Sequence, residues 1–347
     1  MTNQRNERGP REAGMSLIEV TVSLILMLVI GAVVFEMLIG TSRVSILAEG
    51  NNDLSTMGQQ AVNTVLNDML QAKLVLQEDS TGTPYRTLFT SRFPVGTTVY
   101  ANSRMPIMDP NTSSIGADPG PNNIANRTGN SVIVVRQLQP VAISYDHDGT
   151  ASTANINFMA DRYQFDYYFL RQNTSASFAG LGYYLDLILA KSQIVADYFQ
   201  LSAIPINGSQ VVQGLRTQSP AILLAWDPGK PVSTPAFYDL ASNGSMTSNA
   251  NPTFTVTLTS LLPQFTGGRI SGRMEYSVGL NASTPLPLQD LIPQFATASS
   301  NFPGGFEVQI VGPTRSRKVM IRLVLAYGSL GQYNSQPASV IASARGF

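Results

Sequence analysis

The feature that most limits what this chain can fold into lies at residues 15–40, MSLIEVTVSLILMLVIGAVVFEMLIG. From Val20 to Phe35 no residue is charged, and with its flanks the run reaches the ~20 residues a helix needs to cross a bilayer. The residues before it, MTNQRNERGPREAG, are polar, with Arg5, Arg8 and Arg11 set against Glu7 and Glu12. Gly9-Pro10 discourages a helix there. A basic leader followed by an apolar run keeps the N-terminus cytoplasmic and puts the rest of the chain on the far side of the membrane. A secretory signal peptide has a shorter apolar region and then a small-x-small cleavage site. A plain signal anchor accounts for the hydropathy but not for Glu19, because a carboxylate inside a membrane segment costs roughly 2.5–3.5 kcal/mol and normally has a partner. Glu36, near the outer end of the run, reads as a side chain that snorkels to the headgroups.

The segment Gly14-Met15-Ser16-Leu17-Ile18-Glu19-Val20 resembles the processing site of type IV prepilins and pseudopilins. The resemblance implies that a prepilin peptidase cuts between Gly14 and Met15 on the cytoplasmic side and methylates the new amine of Met15. It also implies that Glu19 serves assembly with other pilin or pseudopilin subunits. The chain departs from the family's commonest pattern in having Met15 where phenylalanine is usual, and no proline between Met15 and Pro84. Elementary geometry agrees with the implied roles. Gly14, without a side chain, leaves a strand-like approach to a protease open. Glu19 lies four residues beyond Met15, about 6 Å along a helix axis. A neighbouring subunit displaced by that amount would set its cationic amine beside Glu19, and each charge would neutralise the other in apolar surroundings. Such a pair acts as a register device more than as a source of stability.

Beyond Gly40 the apolar residues Leu54, Met57, Ala61, Val65, Leu66, Met69 and Leu70 recur at three- and four-residue steps, while Asn63, Asn67 and Gln71 fall on another face. The periodicity predicts one helix from about Ser16 to about Leu76, roughly 90 Å long, whose outer half lays an apolar stripe on a head. The expected organisation is a leader at 1–14, an N-terminal helix at 15–77 with a membrane segment at about 17–40, and an exported head at 78–347.

In the head, residues 78–130 are punctuated by Thr83-Pro84, Phe93-Pro94 and Asp118-Pro119-Gly120-Pro121, which predicts loops with short strands. Strands are predicted at 131–137, 141–145 and 161–170, where Tyr163, Phe165, Tyr167 and Phe169 share one face and read as core. Residues 183–190 read as a strand and 192–202 as a short helix. Further strands are predicted at 221–226, 253–258, 274–278, 319–327 and 340–344, and residues 227–252 read as a long loop. The expected class is α+β: a long N-terminal helix, half membrane and half amphipathic, packed on a large antiparallel β-rich head. The C-terminal hairpin before an Ala-Arg ending resembles minor pilins of the PilW and pseudopilin J type.

Composition narrows the chemistry. Charged residues make up 13% of the 347, Lys+Arg equals Asp+Glu at 22 each, and there is no cysteine. The balance predicts no nucleic-acid surface, and the lack of thiols excludes a disulfide framework and thiolate metal sites. The one histidine, His147, sits between Asp146 and Asp148, a conceivable cation site. Asp148-Gly149 is equally what a polar hairpin turn requires, and no cofactor is expected. No hydrolase, phosphate-loop or zinc motif is present, so the chain is not expected to be an enzyme. Arg315, Arg317, Lys318 and Arg322 read as a solvated strand end. Two functions follow as expectations. One is a minor pilin or pseudopilin held in inner-membrane lipid until it joins a type IV pilus or type II secretion-like filament. The other is a membrane-anchored or pilus-tip adhesin using the same anchor, with contact loops at 105–130 and 227–252.

Overall fold

The structure, a computed structural model, describes residues 16–99, 103–108, 127–146, 156–172, 185–204, 208–230, 236–262, 275–278, 306–311, 318–329 and 332–343. The chain divides into two compact units, Met1–Asn52 and Asp53–Phe347. Helix α1 (Leu17–Leu70) supplies the first unit and enters the second.

In the first unit, Leu17–Ser45 is a 29-residue apolar stretch of α1, long enough to cross a membrane, and none of it is buried. Two of its hydroxyls are satisfied locally. The Thr21 and Thr41 hydroxyls donate to the carbonyls of Leu17 and Met37, both at 2.9 Å. Back-bonding of this kind satisfies a hydroxyl without water.

The second unit begins where α1 turns amphipathic. Met57, Ala61, Val62, Val65, Leu66 and Met69 are buried, the stripe of a helix that packs on one side. The helix ends at Leu70, and Ala72–Leu76 form β1, not the last turns of a helix reaching residue 77. The short apolar run Leu74-Val75-Leu76 fits either periodicity. Antiparallel pairing with β2 (Val132–Tyr145), Leu74 to Val135 and Leu76 to Ile133, decides the matter.

Among the described residues the larger sheet has nine strands, ordered β1-β2-β3-β5-β6-β7-β8, with β4 on the other half of β3 and β9 on β4. Beyond β1 and β2 its strands are β3 (Ile156–Gln172), β4 (Leu185–Ser192), β5 (Val195–Asp197), β6 (Leu224–Trp226), β7 (Phe237–Leu240), β8 (Met246–Asn249) and β9 (Val256–Ser260). All pairs are antiparallel except β5 with β6. In the second sheet β12 (Lys318–Ser329) pairs along its whole length with β13 (Gln332–Ser343) on one edge, while β11 (Phe306–Val311) and β10 (Glu275–Val278) share its other edge, opposite residues 318–323 and 325–328. Gly129 and Val308 exchange backbone bonds of 2.9 and 2.8 Å, so the segment before β2 meets β11. The fold is therefore α+β, with a long N-terminal helix and a mainly antiparallel β-rich head.

Several elements differ from the sequence expectation. Strands 131–137 and 141–145 are a single β2, bulged between Leu138 and Val141. Pro140 offers no N–H to the ladder there, and Arg162 donates to the displaced Gln139 carbonyl through Nε at 2.8 Å and Nη2 at 2.6 Å. Residues 82–90 form helix α2 (Gly82–Thr90). Pro84 falls in its first turn, where a missing N–H costs nothing, and Asp79 Oδ1 accepts from the N–H groups of Thr81 and Gly82 at 2.8 and 2.7 Å. The expected helix at 192–202 is instead the end of β4, then β5, then α3 (Tyr198–Ser202), with Asp197 capping α3 through Gln200 N–H at 2.9 Å. The expected loop at 227–252 contains the hairpin β7–β8, and helix α4 (Gly208–Gln218) and β11 were not foreseen.

The aromatic row of β3 is core. Tyr163, Phe165, Tyr167 and Phe169 are buried with Ile133 and Val135 of β2, Tyr85 and Phe89 of α2, and Trp226 of β6. A separate cluster packs Val211, Val212 and Leu215 of α4 against Ile143, Ala160 and Ala225 of the sheet.

Candidate functional site

The N-terminal motif is only partly within the described residues: Gly14 and Met15 lie outside them, while Ser16 and Glu19 lie inside. Ser16 precedes the first helical residue, and Glu19 is in the first turn. The Ser16 N–H donates to Glu19 Oε2 at 2.9 Å, and the Glu19 N–H donates to Ser16 Oγ at 3.3 Å. This reciprocal arrangement is a capping box, which satisfies two backbone donors a helix start leaves over. Glu19 thus has a local partner as well as a negative charge well placed at the positive end of a helix. Sequence reasoning singled out Glu19 and missed Ser16, although the Ser-x-x-Glu spacing is itself the signal for such a cap. Both residues are exposed, and the apolar side chains that follow, from Leu17 at 83% to Val44 at 66%, face outward without a protein partner.

Of the candidate cation group, Asp146 follows the end of β2, while His147 and Asp148 lie outside the described residues. Among the described residues no three His, Cys, Asp or Glu side chains gather in a way that could hold a metal. From the basic cluster, Arg322 is turned to internal use, its Nη1 lying 3.6 Å from Glu307 Oε2 beneath the second sheet's surface.

The most concentrated polar chemistry lies within the head, where α1 meets β2 and β3. Arg136 on β2 approaches Asp68 of α1, Nη1 to Oδ1 at 3.2 Å, and donates through Nε to Asp166 Oδ2 on β3. The Tyr168 hydroxyl donates to Asp68 Oδ2. Alternation along β3 explains the grouping. Tyr163 to Phe169 at odd positions face the aromatic core, so Asp166 and Tyr168 face the other way, across from Val134 and Val132 of β2. Burial pushes the Asp166 carboxyl up to about 6, against the lowering effect of Arg136 and with some help from the Asp68 charge. Burial pushes the Tyr168 hydroxyl upward as well, reinforced by its bond to Asp68. A second buried carboxylate, Asp186 on β4, takes Arg171 Nη2 at 2.9 Å and Ser260 Oγ at 2.6 Å, and burial raises it too. None of these groups was legible as a site in the sequence, because each partner comes from a different element.

A groove of about 420 Å³ opens where β3 leaves β4 for β5, lined by Arg162, Gln164, Ser192, Gln193, Pro220 and Ile222. Its polar members mostly hold the sheet together: Gln164 Nε2 donates to Ser192 O at 3.0 Å, and Ser192 Oγ accepts from Phe165 N–H at 3.0 Å.

No protein-family model matches the chain, and no curated protein or solved structure is significantly similar to it.

Proposed function

We propose that this chain is a structural filament subunit, a minor pilin or pseudopilin. In this reading it is cut by a prepilin peptidase after Gly14, held in the inner membrane by the first part of α1, and assembled through that helix with its head on the exported side. The observation that carries the reading is the start of α1: a Ser16–Glu19 capping box opens a 29-residue apolar stretch with no buried side chain, directly behind Gly14-Met15. The cap uses the Glu19 Oε2 oxygen but leaves its negative charge without an opposite charge among the described residues, and the amine created at Met15 supplies one within about 6 Å of helix rise. The size of the head favours a minor subunit, since bulky heads pack poorly in a repeating shaft. The proposed role is structural and involves no catalysis.

Intact-mass measurement and N-terminal sequencing of membrane-extracted protein test the processing. The mature chain should begin at a methylated Met15, and a mature chain that retains the first fourteen residues overturns the reading. The two tasks of Glu19 separate in a pair of variants. Glu19→Gln keeps the cap, because glutamine serves at that position of a capping box, but removes the charge. It should be processed normally and fail to enter filaments, as should Glu19→Ala. Normal assembly of Glu19→Gln would mean that the charge plays no part in register.

A further inference from the structure

The cluster at the end of α1 holds an imbalance. Two carboxylates, Asp68 from the helix and Asp166 from the sheet, share the single guanidinium of Arg136. Asp166 has no exposed surface, and its Oδ1 has no hydrogen-bond partner among the described residues. Half of an ionised carboxylate is thus held away from water without compensation, which is costly. The titratable and charged groups that face Asp166 are Asp68 from α1, Arg136 from β2, Tyr168 from β3 and Lys191 from β4, which lies opposite Asp166 in the ladder. Tyr168 spends its proton on Asp68. Lys191 is the only second cation among them.

We propose that Asp68, Arg136, Asp166 and Tyr168 form an acid-tightened latch between the last turns of α1 and the head's larger sheet, in which proton uptake on Asp166 leaves Arg136 to Asp68 alone. Opening the latch moves Asp68 away and lets water reach Asp166, so the open form binds a proton less readily than the closed one. By linkage the closed form is favoured as pH falls. With the Asp166 carboxyl near 6 when closed and near its ordinary 3.8 when open, opening is up to about tenfold rarer at pH 5 than at pH 7.5. The latch belongs to the head and stands whether or not the chain is cut after Gly14.

Hydrogen exchange of the full chain in detergent, corrected for intrinsic rate, reads the opening. Amides in residues 57–70 should be several-fold better protected at pH 5 than at pH 7.5, while those of β11 and β12 in the second sheet show no comparable change. Asp166→Asn, which keeps the neutral form at every pH, should show the high protection at pH 7.5 and lose the pH response. Asp68→Asn should lower protection of the same helix residues at both pH values and shrink the response. Helix protection that does not depend on pH in the natural chain overturns the latch. So does a pH response that survives in Asp166→Asn, or one of equal size in the second sheet. Should Asp166→Asn not fold, an undiminished response in Asp68→Asn overturns it equally.

Discussion

At the scale of single residues, the head's aromatic core encloses a polar contact between two of its largest side chains. The Trp226 indole N–H donates to the Tyr85 hydroxyl at 2.8 Å, and both side chains are fully enclosed, with Phe165 stacked on Tyr85 and edge-on to Trp226. A buried donor left without an acceptor costs about 1–3 kcal/mol. Tyr85→Phe should therefore lower unfolding free energy by that amount in a denaturant titration while leaving the fold intact. The pH dependence has a definite sign. Burial raises the Tyr85 hydroxyl from its usual 10.0 to about 12, with the Trp226 bond opposing and Asp227 adding to the shift. In the unfolded chain the proton leaves first, so stability falls as pH rises from about 10 to about 12 and is unaffected by this group below that window. Tyr163, Tyr167 and Tyr168 are shifted the same way, chiefly by burial. Tyr85→Phe should flatten, not abolish, the alkaline decline.

At the scale of elements, two glycines show what a turn requires of its neighbours. Gly96 and Gly244 have nearly the same left-handed backbone, φ of +88° and +87°. Around Gly96 there is open space, whereas a Cβ at Gly244 would lie 2.2 Å from the Ser209 carbonyl oxygen. The β7–β8 turn is thus pressed against the start of α4. Gly96→Ala should cost only the backbone term of about 1–2 kcal/mol. Gly244→Ala should cost clearly more, and its loss should appear as reduced protection of α4 as well as of the hairpin. Equal effects would mean the contact with Ser209 is slack. The same scale shows what could be read in advance. The strands through residues 131–137 and 161–170, the core-facing aromatic row and the strand through residues 319–327 follow from alternation alone. Helix α2 was hidden because Thr83-Pro84 signals a turn as readily as a first helical turn. The β7–β8 hairpin was hidden because β8 (Met-Thr-Ser-Asn) lacks a buried face, its residues being exposed or half-buried.

At the scale of the whole molecule, the chain has one unit whose apolar side chains from Leu17 to Val44 face outward, and one that encloses its own core. Because residues 16–45 bury nothing, the head's core has no need of them. A fragment comprising residues 53–347 should be soluble without detergent and unfold cooperatively, with far-UV and near-UV circular dichroism changing together. Loss of the near-UV signal alone, with helix and strand retained, would show that the head depends on the first unit. The amino-acid sequence by itself determined the membrane-length helix, the carboxylate at its start and the α+β class. These follow from hydropathy, from four-residue spacing and from period-two alternation, all properties of neighbours along the chain. Only the tertiary structure decided where α1 stops, since the competing partner for residues 72–76 is β2, about sixty residues on. It alone also brought Asp68, Arg136, Asp166 and Tyr168 together. Burial and charge sharing depend on which elements meet, and no spacing along one strand or one helix encodes that.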